Sequence, residues 1–245
     1  MTTTIPLTNL LNIVNKHDKT RQKNLCQFQK QEKKKKKQAK MENVGEGEEV
    51  KIKVVTLKAI EATPETFKDY GQVIQSSVNG EEFGPHDAKL ELSRGTPRFY
   101  IMNLKNRKLK FSTITHHANV TQCLGSIGGH TWYLGVAKPS IVDLYIPPIV
   151  EEVPDSNATV VESNKKIAKA PFGHLYVPPS VDEVKVFKIT GPKFLKLNVG
   201  TWHAGPLFNV DAMDFYNLEL SDTNVVDHTT HNFHRENGVR FVIDE

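Results

Sequence analysis

What most restricts the fold of this chain is a succession of short strand-like runs, each closed by a turn signal. "IKVVTL" (52–57), "QVIQ" (72–75), "PRFYIMNL" (97–104), "KLKFSTIT" (108–115), "VTQCLGSI" (120–127) and "GHTWYLGVA" (129–137) come first. "IVDLYI" (141–146), "HLYVP" (174–178), "FLKLNV" (194–199), "MDFYNLEL" (213–220) and "VRFVI" (239–243) complete the set. β-Branched and aromatic residues dominate these runs, and Gly, Pro, Asn and Lys separate them. That spacing predicts an all-β antiparallel sandwich or barrel. Long helices alternating with strands are absent from the pattern, which disfavours a doubly wound parallel sheet. One or two short helices are expected. In "ATPETFKDYGQVI", Thr63 suits a cap, Pro64 a first turn and Gly71 a C-terminal cap, so a helix is expected over 64–70. "SVDEVKVFKI" (180–189) is ambiguous, because Ser180 and Glu183 form a capping-box pattern while the valines favour a strand.

Charge divides the chain. Residues 1–40 carry 11 Lys/Arg against 2 Asp/Glu, and the remaining 205 carry 21 against 26. The basic character of the whole (net +4) is therefore confined to the first 40 residues, and the body, at net −5, offers no basic face for nucleic acid. Lys33 to Lys37 repel one another and cannot be buried, so a disordered Lys-rich tail is expected over 1–50 and a globular domain over 51–245. Three readings of the tail stand open: a targeting segment, a patch for the nucleus or an anionic surface, or an extension upstream of a true start at Met41. The segment 147–171 is acidic and irregular. No run approaches the length of a membrane helix. Cys26 and Cys123 are too few for a disulfide framework, which suits a reducing, cytoplasmic setting.

Glycine-rich phosphate loops, paired-cysteine motifs and nucleophile elbows are missing from the sequence. The chemistry-bearing residues fall in two stretches. The first is "THHANVTQCLGS", where His117 precedes Gln122 by five residues across a turn at Ala118–Asn119. Adjacent strand residues point to opposite faces, so at most one of His116 and His117 should face a site. The second is "NVGTWHAGPLF", where Gly200 permits a tight bend and Trp202-His203 follows. His228, His231 and His234 recur every three residues, near one face if helical, but the segment has too little apolar content for a helix and reads as a solvated loop. His130 reads as a core residue beside Trp132 and Tyr133, and His174 opens a strand after Gly173.

The Gly200-x-x-His203 spacing after the Gly191-Pro192 turn resembles the second motif of the cupins. The first stretch resembles a degraded first motif, with Thr115 where that motif has its first His and Gln122 where it has Glu. A closer resemblance is to the ureidoglycolate lyase family, formerly called ureidoglycolate hydrolase. It rests on His117-x4-Gln122, on Trp202-His203 followed by Pro206-Leu207-Phe208, on Asp214-Phe215, and on "ATPETFKDYGQVI" and "RFYIMNL" with Arg98. It covers roughly residues 52–220.

The resemblance implies a cupin-like β-barrel or jelly roll that splits ureidoglycolate into glyoxylate and urea within purine and allantoin catabolism. Such chemistry needs a cation for the carboxylate, a base for the hydroxyl proton and an acid for the leaving nitrogen. Arg98 suits the first, through a two-bond guanidinium contact, with Lys196 as a second candidate. His117 and His203 suit the other two roles. Gln122 is expected to bind the ureido group, and Trp202 to wall the pocket. A divalent ion, nickel or manganese, is a candidate cofactor on His117, Gln122 and His203. A homodimer is expected, since exposed strand edges in such barrels pair. The alternative is a barrel that binds a small carboxylate without turning it over.

Overall fold

The computed structural model describes residues 51–78, 84–142 and 166–245. The tail, the end of the run at 141–146 and most of the segment 147–171 lie outside them. Lys51–Glu245 forms one compact unit, mostly β, with a few short helices.

Its larger sheet has eight strands. In spatial order they are β15 (Thr229–Asn232), β5 (Thr113–His116), β13 (Trp202–His203), β7 (Trp132–Ala137), β11 (Lys185–Ile189), β1 (Lys53–Glu61), β16 (Val239–Asp244) and β4 (Lys110–Phe111). β4 and β5 are separated by Ser112 alone, yet they pair with opposite ends of this sheet. The sheet therefore curls round towards its own edge. A second sheet has five strands: β2 (Gly71–Ile74), β12 (Phe194–Leu197), β6 (Gln122–Ser126), β14 (Ala212–Leu220) and β3 (Pro97–Lys105). A small third sheet joins β8 (Ile141–Val142), β10 (Leu175–Tyr176) and β9 (Ala168–Lys169).

Period-two alternation in β7 explains the layering. Trp132, Leu134 and Val136 face the five-stranded sheet and pack with Leu124, Leu195, Leu197, Phe208 and Phe215. Tyr133 and Ala137 face the other way, into the hollow of the curl, with Phe111, Ile114, Val186, Trp202, Phe233 and Phe241. All six residues of the strand are buried, so its unbroken apolar sequence reflects burial on both faces. At about 25 cal/mol per Å² of apolar surface, two such cores dominate the stabilisation.

Several expectations are corrected. The pairing is not purely antiparallel: β1 runs parallel to both β11 and β16. Strand direction follows from long-range pairing, which local pattern does not carry. The helix expected over 64–70 is the single turn α1 (Pro64–Phe67), capped by Thr63 as its sequence suggests. Gly71 opens β2 rather than capping a helix, because a Cβ there would overlap the Lys196 carbonyl oxygen of the neighbouring strand. Both signals in 180–189 are satisfied in turn: Ser180 and Glu183 close a capping box over one 3₁₀ turn, and β11 follows. His130 is exposed in the loop before β7, not in the core. The segment with three spaced histidines is β15 followed by α3 (Phe233–Asn237), after the short helix α2 (Thr223–Val226).

Candidate functional site

β13 and the end of β5 place the two leading histidines. Gly200 adopts φ +80°, the left-handed conformation that a side chain disfavours, and its N–H donates to the His117 carbonyl at 2.7 Å. The bend after β12 is thereby tied to the residue that follows β5. In register, His203 lies opposite Val136 on one side and Thr115 on the other. Val136 belongs to the core between the sheets, so His203 faces that space, and alternation from Thr115 sends His117 to the same side. The two imidazole centroids are 5.5 Å apart.

A third imidazole joins them. His228, at the entry to β15, has its ring centroid 5.6 Å from that of His117. The preceding residue holds the arrangement. His117 Nδ1 donates to the Asp227 carbonyl, while the buried Asp227 carboxylate accepts from the Ala118 and Asn119 N–H groups, both at 2.7 Å. That contact sets the His117 tautomer and leaves Nε2 for the site. His203 is held alike, with Nδ1 on the Thr201 carbonyl at 3.2 Å. His203 keeps some exposed surface but is densely surrounded. Burial, with the neighbouring His117 and His228 adding like-charge repulsion, pushes its pKa down to about 3. His228 is shifted down by partial burial and by His117, against the opposing pull of Asp227 and Glu219. His203 is thus neutral at neutral pH.

Gln122 begins β6 and faces the same inter-sheet space, within a polar network at the end of the apolar core. Its Nε2 donates to Glu219 Oε2 at 3.0 Å and to Asn217 Oδ1 at 3.2 Å. Tyr100 donates its hydroxyl to Glu219 Oε1 at 3.0 Å and accepts from Asn217 Nδ2 at 2.8 Å. Asn217 and Glu219 are both about 1% exposed. Arg98, opposite Glu219 across the β3–β14 pair, is exposed, and its guanidinium carbon lies 3.7 Å from the Tyr100 ring centroid.

Three sequence candidates fall elsewhere. Trp202 points to the opposite face of β13 from His203. It is fully buried, donates Nε1–H to Ser140 Oγ at 2.8 Å and lies with its ring centroid 4.0 Å from that of His116. Lys196 lies on the opposite face of the five-stranded sheet from Gln122, bonded to Asn198 Oδ1 at 2.8 Å. Asp214 faces outward from β14 and accepts from Asn103 Nδ2 at 2.7 Å. It lines a cleft of about 800 Å³ with His130, Tyr133 and Lys188, which includes none of the three clustered histidines.

Sequence reasoning set His228 aside as part of a solvated loop and passed over Asp227, Tyr100, Asn217 and Glu219. The last two carried a signal. In β14 one face reads Met213, Phe215, Asn217, Glu219, an apolar stripe turning polar at one end. His228 carried none, because its neighbour His117 is 111 positions away in the chain.

No protein-family model matches the chain, and no curated protein matches it.

Proposed function

We propose that this chain is a ureidoglycolate lyase-like enzyme on a cupin-like barrel, acting as a homodimer in purine and allantoin catabolism. One observation carries the proposal: His117 and His203, the histidines of the two resembling motifs, meet at 5.5 Å with neither Nε2 atom hydrogen-bonded among the described residues. The substrate's carboxylate sits on Arg98, which forms no ion pair among the described residues. His117 Nε2 takes the hydroxyl proton, the freed electron pair forms the aldehyde carbonyl, and the carbon–nitrogen bond breaks. The same proton passes to the departing urea nitrogen, so the pair ends as it began. His203 stays neutral beside it, through burial and the neighbouring His117.

A divalent ion fits this donor set poorly. Two imidazole nitrogens and one neutral amide oxygen make a weak cage, and no group of three or more His, Cys, Asp or Glu among the described residues is placed to hold a metal. No step above is routed through an ion. The same weakness supports the second reading, a barrel that binds a small carboxylate without turnover.

The test incubates the full chain with racemic ureidoglycolate, with and without added nickel or manganese, and quantifies glyoxylate, urea and ammonia. Equal glyoxylate and urea are expected. Glyoxylate with ammonia, or no product from folded protein, refutes the lyase.

A further inference from the structure

The cleft of about 800 Å³ beside Asp214 carries charges that the fold orients but does not neutralise. Lys188 stands between Glu61 and Tyr133 in the register of β1, β11 and β7. Its cross-strand carboxylate is already taken, because Glu61 accepts from Lys193 Nζ at 2.9 Å and from Thr190 Oγ1 at 2.6 Å. Lys188 lies instead by Tyr133, with Nζ 5.9 Å from the ring centroid, and forms no ion pair among the described residues. Two carboxylates share the cleft with it. Asp214 accepts from Asn103 Nδ2 at 2.7 Å, and Glu245 accepts from Asn209 Nδ2. Each is aimed by a neutral amide, and among the described residues neither meets a cation. An amide orients a carboxylate without cancelling its charge.

These charges are ordered along the cleft. Burial pushes the Tyr133 hydroxyl up; Glu245 adds to that shift and Lys188 opposes it, so both charges act on this one hydroxyl. One end therefore carries a cation and a carboxylate together. Asp214 marks the other end. The chain runs from Asn209, which holds Glu245, to Asp214 itself, and Val210, Ala212 and Met213 line the cleft along the way. A mixed pair of charges, an apolar stretch and a second carboxylate thus follow one another.

We infer that this cleft is a second binding site, for a dibasic α-amino acid such as lysine. The α-carboxylate sits on Lys188, the α-ammonium on Glu245 and the terminal ammonium on Asp214. The methylene chain lies over Val210, Ala212 and Met213. Two positive groups and one negative group on the ligand are the inverse of what the cleft presents. A few placed polar groups on a partly apolar wall, in a concavity of this size, are what small-molecule sites are made of.

Isothermal titration of the full chain with L-lysine tests this against three analogues that each lack one group. Cadaverine lacks the carboxylate, ε-aminocaproate the α-ammonium and L-norleucine the terminal ammonium. Lysine is expected to bind about fivefold tighter than each, the strength of an ion pair in a cleft open to water. Lys188→Met should erase the advantage over cadaverine, Glu245→Gln that over ε-aminocaproate and Asp214→Asn that over norleucine. All three side chains are exposed or half-buried, and circular dichroism checks the fold of each variant. No binding of lysine at millimolar concentration, or four ligands that bind the wild type alike, overturns the inference without recourse to any variant. Cadaverine as tight as lysine would make the cleft a polyamine site and overturns it too, as does an advantage that survives its matched substitution in a folded variant. The cleft holds none of the three clustered histidines, so the result is independent of whether the chain cleaves ureidoglycolate.

Discussion

Acid should destabilise this protein through a histidine outside the proposed site. His116 is fully buried in the hollow of the curled sheet, bonded Nε2 to Nε2 with His174 at 2.7 Å, and its Nδ1 has no partner. Burial, reinforced by the nearby His174, His117 and His203, pushes its pKa down to about 3. The unfolded chain titrates this group near the ordinary imidazole value of about 6.5. The folded pKa is thus the lower one, so between about pH 6.5 and 3 the unfolded state binds a proton that the folded state refuses. The contribution is complete above pH 6.5 and is lost as pH falls. At about 1.4 kcal/mol per pH unit, going from pH 7.5 to 4.5 costs roughly 2.7 kcal/mol through this residue alone. His116→Phe keeps a ring against Trp202 and Tyr176 and cannot take the proton. Guanidinium chloride denaturation of both proteins across this range should show the wild type losing about 2–3 kcal/mol more than the variant. Carboxylates and the histidines remote from His116 are common to the two and cancel, and His116→Phe/His174→Phe measured against His174→Phe removes the part carried by its bonded partner. Parallel curves would refute the claim that folded His116 stays neutral.

Four further outcomes are expected. His117→Ala and His203→Ala should each lower kcat for ureidoglycolate by about 10²–10⁴-fold with near-native circular dichroism; a lost fold would make them structural. Arg98→Ala should raise KM with little change in kcat, since a carboxylate clamp acts on ground and transition states alike; unchanged saturation removes Arg98 from the site. Gly200→Ala combines φ +80° with a Cβ 2.7 Å from Ile141 Cδ1, and should cost about 1–2 kcal/mol in chemical denaturation and weaken activity. Cys123 is buried, and burial pushes its thiol up to about 12, so mass-spectrometric mapping should find it unalkylated until the protein is denatured.

Local pattern announced what local physics decides. Thr63-Pro64 starts a helical turn because its capping bonds span only three residues, and strand runs such as 97–104 and 213–220 appear within a residue of their bounds. Gly200 was legible because few side chains tolerate the bend it makes. Parallel pairing of β1 with β16 was hidden, since it joins segments near opposite ends of the body. Lys196 misled because its strand contributes Leu195 and Leu197 to the inner face, which turns the lysine outward. His228 was hidden by spacing: three histidines three apart suggest a helix or a loop, and the chain instead passes from a turn into β15, separating His228 from His231 and His234.

The same alternation explains why a tryptophan and a histidine stand side by side at this bend. His116-His117 and Trp202-His203 lie on neighbouring strands, and each pair straddles its strand. One member of each enters the hollow of the curl, where the tilted rings of His116 and Trp202 have centroids 4.0 Å apart; the other faces the inter-sheet space, where His117 and His203 meet at 5.5 Å. The first contact is the back of the second. Trp202 is anchored by Ser140 and by the second core, so β13 cannot slide or rotate without breaking that packing. Trp202 therefore serves the site by fixing the backbone that carries His203, not by walling the substrate. A substitution that shrinks it would disturb the imidazole pair through the strand, with no contact to the substrate lost.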